Sequence, residues 1–159
     1  MILGKFNASG SVANWTYGVW IYSSGALAFG IGDGVGNNFS SNIYTVSANT
    51  WYHVVVNYFG SNNVVKYHVN GQYVSDKDLT LTRTPRVTTN PYTISGTVGA
   101  NVFSGSIDDI RIFSAPVPTS QIRQSYFAGL NKLFIKNQIT QSDYNQRIAS
   151  LRQSVGVGE

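Results

Sequence analysis

The chain of 159 residues has no cysteine, and its one glutamate is the last residue, Glu159. Without cysteine there are no disulfides and no thiolate metal sites. Charge is also scarce: Asp, Glu, Lys and Arg make up 11% of the sequence, for a formal net charge of +4. The excess is spread thinly. Residues 1–118 hold six Lys/Arg against five Asp/Glu, and residues 119–159 hold five against two. A nucleic-acid footprint needs a dense basic face, so no nucleic-acid partner is expected. No apolar run is long enough to cross a bilayer, so no membrane span is expected. No signal peptide is expected from this sequence, since Met1 leads straight into "ILGKF", which reads as strand. What the sequence has instead is Ser, Thr, Asn, Gly and Tyr, including 16 Gly and 10 Tyr. The lack of cysteine fits a reducing compartment and equally a bacterial or archaeal exterior, and the polar, weakly charged composition favours an extracellular or cell-surface setting. The length suits one domain with a true core.

Residues 1–118 are built of short strand patterns. "NWTYGVWIY" alternates apolar and polar residues, "SSG" turns, and "ALAFGIG" alternates again. "WYHVVVNYF" is apolar on both faces, as a central strand would be. "GSNN" turns into "VVKYHVNGQYV", where Asn70-Gly71 is a strong hairpin signal. Val65, Tyr67 and Val69 share one face of that strand, and Lys66, His68 and Asn70 the other. Residues 76–91 are polar and hold two prolines, which suits a loop or an edge strand. "YTISGTVG" and "GSIDDIRIF" close the series. Many short strands with regular turns predict an antiparallel β-sandwich or jelly roll.

After Pro116 and Pro118 the period changes. Ile122, Tyr126, Leu130 and Leu133 recur every three or four residues, which predicts an amphipathic helix ending at Asn137. Thr140 and Asp143 form a capping box that opens a second helix through Ile148 and Leu151. The expected organisation is a β domain over 1–118 and a helical hairpin with a tail over 119–159.

The stretch "GSIDDIRIF", residues 105–113, poses a problem of its own. Read as a strand, it puts Asp108 on one face with Ile110 and Ile112, and Asp109 on the other with Arg111. Asp109 and Arg111 can pair. A carboxylate facing the core with two isoleucines needs a partner there, either a cation or the N–H groups of a neighbouring loop.

The segments "TWYHVVVNYFGSNNVVKYHVNGQYV", "VGANVFSGSIDDIRIFSAPVPTSQI" and, more loosely, "GALAFGIGDGVGN" resemble the laminin G-like, concanavalin A-like jelly rolls. The resemblance covers most of residues 15–123. It implies two curved antiparallel sheets, a secreted or surface location, and binding of glycan or protein. It also implies a structural calcium ion in some members, held by the acid on the last strand, which by position is Asp108. Related laminarinase-type enzymes carry closely spaced glutamates on one strand, and this chain has no such pair. Family domains begin with strands that precede "ILGKF", so this β domain is expected to lack its first strands. The tail "GLNKLFIKNQITQSDYNQRIASL" is similar to C-terminal hairpins of the SHOCT type, which follow such domains in some bacterial pilin-like surface proteins.

Few residues suggest chemistry. Glycoside hydrolysis needs two carboxylates flanking one bond. Asp108 and Asp109 are adjacent on a predicted strand and point apart, so no enzyme activity is expected. His53 and His68 can meet across neighbouring strands, but packed or surface histidines are the plainer reading. Asp33 in "GDGVGNN" is a second, weaker calcium candidate, in a sequence that also suits a simple turn. Trp20 and Tyr22 lie on the face opposite Val19 and Ile21, and are the aromatics best placed to stack on a sugar.

The sequence therefore predicts a non-catalytic binding or adhesion module that recognises glycan or protein. The alternative is a structural subunit of a surface assembly. In either case self-association, or a partner that supplies the missing strands, is expected.

Overall fold

A computed structural model of the protein describes residues 2–6, 15–40, 44–78, 84–96 and 102–153. Strands β1 (Leu3–Phe6), β2 (Trp15–Ile21), β3 (Leu27–Gly32), β4 (Asn37–Ser40) and β8 (Tyr92–Ile94) form one antiparallel sheet, ordered β4-β3-β2-β1-β8. Strands β5 (Val54–Phe59), β6 (Val64–Val69) and β7 (Gln72–Asp78) form the second, in sequence order. Helices α1 (Thr119–Ile135) and α2 (Gln141–Gln153) follow.

Alternation builds the core. Leu27, Phe29 and Ile31 point from β3 toward Val65, Tyr67 and Val69 of β6, and these six form one buried cluster. Tyr17, Val19 and Ile21 of β2 pack against it from one sheet, and Val54, Val56 and Tyr58 of β5 from the other. Burying each large apolar side chain contributes about 1.5–3 kcal/mol before conformational entropy is charged against it. β3 is buried on its outer face as well. Residues 84–91 pass over that side, where Arg86 N–H donates to the Gly32 carbonyl at 2.9 Å and the Thr16 and Thr88 hydroxyls lie 2.9 Å apart.

The Asn70-Gly71 hairpin forms as the sequence predicts. Both residues have positive φ, 53° and 77°, the geometry of a type I′ turn. Gly71 is needed for a second reason: a Cβ there would lie 2.9 Å from both Leu151 Cδ2 and Tyr126 Cδ1.

β5 departs from expectation. Among the described strands it pairs with β6 alone, so within them it is an edge and not a central strand. Its double-sided apolar pattern has another cause. One face meets the core, and the other lies beneath the helices. There the Asn57 side-chain amide donates to the Val117 carbonyl at 2.8 Å, and its oxygen accepts the Val117 N–H at 3.0 Å.

The segment 105–113 is not a strand. It joins no sheet among the described residues, and Asp109 has φ 55°. A left-handed residue breaks the two-residue alternation that would have carried Asp108 inward. Asp108 is instead exposed, and Ile110 and Ile112 are 37% and 48% exposed. The expected inward-facing acid is therefore corrected to a solvent-facing one. The expected Asp109–Arg111 pair does form.

The helical pattern matches its prediction. Ile122, Tyr126 and Leu130 are buried, and Asn137 with φ 54° ends the first helix. The capping box closes both ways: Asp143 N–H donates to Thr140 Oγ1 at 3.1 Å, and Thr140 N–H to Asp143 Oδ2 at 3.2 Å. The hairpin lies on the outer face of the three-stranded sheet. Arg147 Nη1 donates to the Trp51 carbonyl at 2.9 Å, and Gln72 Nε2 to the Ser150 carbonyl at 2.7 Å.

Candidate functional site

The segment after β8 returns across the side of α1 and leaves a groove of about 640 Å³ between them. Gln121, Gln124, Ser125 and Lys132 line it from α1, with Ala128 and Gly129 as its floor. Spacings of three and four put these residues on one face of the helix. The small floor residues let the groove reach the helix backbone. Asp108, Asp109 and Arg111 form the opposite wall.

The charges in the groove are paired. Arg111 Nε and Nη2 each donate to one Asp109 oxygen at 3.0 Å, a bidentate fork. Lys132 Nζ donates to Asp108 Oδ2 at 2.9 Å. That hydrogen bond, more than any other influence, holds the Asp108 carboxyl below its usual range and raises the Lys132 ammonium. Both pairs are more than half or nearly half exposed, so water screens them and they contribute little to stability. Asp108 stays ionised near neutral pH, the opposite of what a general acid requires. The groove offers hydrogen-bond donors and acceptors and almost no net charge.

The sequence-predicted site residues do not converge. Asp33 lies in the β3–β4 turn, where its Oδ1 accepts the Val35 and Gly36 N–H groups, both at 2.8 Å. The turn-forming reading accounts for that geometry. Trp20 lies opposite Val19 and Ile21 as predicted. Its ring sits against Gly18, where an added Cβ would be 3.0 Å away, and edge-on to Trp15 at 5.7 Å. Tyr22 is 44% exposed. None of these three lines the groove; Asp108 does.

A calcium ion takes six to eight oxygens. Among the described residues, no group of three His, Cys, Asp or Glu is placed to share a metal ion. Asp108 and Asp109 each already hold a cationic side chain, so an ion at Asp108 must displace Lys132.

His53 and His68 do come together, on the outer face of β5 and β6 beneath the hairpin. The His53 ring centre is 5.8 Å from that of Tyr126, and the His68 ring centre 5.8 Å from that of Tyr73. The Nδ1 atoms of both histidines are buried without a hydrogen-bond partner, as is Arg123 Nε. Burial, above all, lowers both imidazole pKa values. This is the packed-histidine reading.

Sequence reasoning missed the α1 side of the groove, because the polar face of a helix carries no mark of use. The available signal was Gln121, Gln124/Ser125, Ala128/Gly129 and Lys132 at helical spacing, small in the middle and polar at the ends.

A family model described as the concanavalin A-like lectin/glucanases superfamily matches residues 3–123. The chain belongs to that superfamily. No curated protein matches its sequence. Among solved structures, it is similar to the Ruminococcus gnavus IT-sialidase CBM40, with TM-score 0.62 and 15% identity over 79% of this chain and 72% of that one. The same domain bound to alpha2,3 sialyllactose gives the same values. It is also similar to the native heptameric SAP-like pentraxin from Limulus polyphemus, with TM-score 0.52 and 15% identity over 78% of this chain and 66% of that one. At these identities the likeness is one of fold. The family match ends inside α1, and the tail's similarity to SHOCT-type hairpins rests on its sequence pattern.

Proposed function

We propose that the protein is a non-catalytic binding module of an extracellular or cell-surface protein, that it recognises glycan, and that the groove beside α1 is the recognition surface. The carrying observation is the groove itself. Two amides, a hydroxyl and two neutralised ion pairs surround a floor of Ala128 and Gly129. Sugar hydroxyls donate and accept at once, so a wall of paired donors and acceptors suits them, and the bidentate Arg111–Asp109 fork presents both kinds of group. The shared fold of a domain solved with sialyllactose supports the reading. Exposed Tyr22, with Trp20 behind it, is the second place a sugar ring could stack.

The test is a glycan array probed with the full chain, repeated with Gln124→Ala and Arg111→Ala. Loss of a specific signal in both variants is expected. An array with no specific signal sinks the glycan reading. A signal lost in Tyr22→Ala but kept in the groove variants moves the site to the β2 aromatics.

A second reading is favoured by one observation, the β5 edge without a strand partner among the described residues. Unpaired edges template further pairing. On this reading the chain is a structural subunit completed by neighbours. Light scattering at micromolar concentration separates the two readings: a concentration-dependent rise in mass supports assembly, and a stable monomer rejects it.

A further inference from the structure

The hairpin has a second recess, on the far side of α1 from the polar groove. At 100° per residue, Arg123 and Phe127 lie well round the helix from Gln121, Ser125 and Lys132. Phe127, Ile148 and Leu151 form its apolar wall, with Arg123 and Arg152 beside them, around about 210 Å³. Phe127 is 45% exposed. The recess is small, with room for one large side chain and the group attached to it.

Its charge is one-sided. Neither guanidinium meets a carboxylate among the described ion pairs, which are Asp109–Arg111 and Asp108–Lys132. Arg123 Nε is buried with no hydrogen-bond partner, an unmade bond that is costly to leave. Residues 119–159 as a whole hold five Lys/Arg and two Asp/Glu. An apolar wall flanked by two guanidinium groups, neither in a described ion pair, complements a ligand that is apolar at one end and anionic at the other.

We propose that this recess docks a partner polypeptide that presents an apolar side chain next to a carboxylate. The side chain fills the space between Phe127, Ile148 and Leu151. The carboxylate accepts hydrogen bonds from Arg123 and Arg152. The site is independent of the polar groove, and the hairpin thereby gains a role that the sandwich does not supply.

The experiment titrates the full chain with three small probes, N-acetyl-leucine, N-acetyl-leucine amide and acetate, and follows the backbone amide resonances of residues 127, 148 and 151. Saturable shifts are expected with N-acetyl-leucine, with about tenfold weaker binding of the amide, which lacks the charge. Acetate should give no saturable shift at Phe127. Arg123→Gln and, on the solvent side, Arg152→Gln should each reduce the acid toward the affinity of the amide, while Phe127→Ala weakens both. A blocked peptide, acetyl-Ala-Leu-Glu-Ala-amide, should bind more tightly than N-acetyl-leucine. Equal binding of acid and amide overturns the proposal, as does the absence of localised shifts. A peptide that binds no better than N-acetyl-leucine overturns the polypeptide partner in favour of a small anionic ligand.

Discussion

Two layers hold this molecule together, and they are made differently. Between the sheets, Leu27, Ile31, Val65 and Tyr67 are fully buried in an apolar cluster completed by Phe29 and Val69. Between the three-stranded sheet and the hairpin, Ile122, Tyr126 and Leu130 are buried beside Asn57, His53, His68, Arg123 and Arg147. The inner layer rests on apolar area, which no proton changes. The outer layer adds directed hydrogen bonds and needs its imidazoles uncharged. Acid is therefore expected to weaken the interface between hairpin and sandwich before it weakens the core.

The largest effect should come from the inner layer. Ile31→Ala removes a fully buried side chain from the middle of the cluster. It should lower stability by roughly 2–5 kcal/mol, through lost transfer energy and the cavity left behind. A urea melt followed by tryptophan fluorescence reads it. A loss well under 1 kcal/mol would mean that the core is not the common support of both sheets, and the contrast between layers would fail.

Mild acid should act on the outer layer. The His53 and His68 pKa values lie below the ordinary 6.5 in the folded chain, chiefly through burial. Arg123 and Lys66 add to the lowering at His68, and Arg111 and His68 add at His53, where Asp109 opposes them. Well above pH 6.5 both states bind the same protons, and stability does not depend on these groups. As pH falls below 6.5 the unfolded chain takes up protons that the folded chain refuses, so stability drops until the folded pKa is passed. His68→Gln should flatten that drop between pH 7 and 5 in a series of thermal melts. Hydrogen exchange at α1 and α2 should rise before exchange in β3 does. Simultaneous exchange in both layers would show that they are a single cooperative unit.

The contrast also governs what could be read from the sequence. The inner layer was legible because β3 and β6 alternate with period two and Asn70-Gly71 announces its turn. The helices were legible through Ile122, Tyr126 and Leu130 and the Thr140–Asp143 box. Where the hairpin docks was not legible, since it depends on the far faces of β5 and β6, where His53, Asn57 and His68 gave no sign of being covered. The apolar second face of β5 is that sign, and in sequence it looks the same as the second face of a central strand. The segment 105–113 misled for a local reason: its alternation is genuine, but the positive φ at Asp109 cancels the facing it implies. Of the groove, the sequence singles out Asp108 alone, as a metal ligand and with the wrong facing. One wall belongs to α1, whose polar face looked like any solvated helix.

The smallest effect expected concerns Asp108. Calcium there is a proposal with a condition, because Lys132 Nζ already stands 2.9 Å from Asp108 Oδ2. An arriving ion has to expel that ammonium and gather further oxygens from backbone or solvent. Both side chains are about half exposed, so releasing the pair costs little. Thermal melts in calcium and in chelator read the outcome, since an ion that binds only the folded chain raises its melting temperature. A small rise is expected in the wild type, a larger one in Lys132→Met, where the competitor is gone, and none in Asp108→Asn. Coincident curves for the wild type and for Lys132→Met would reject calcium at this position. They would leave Lys132 as the counter-ion of Asp108, and the groove as a site built from side chains alone.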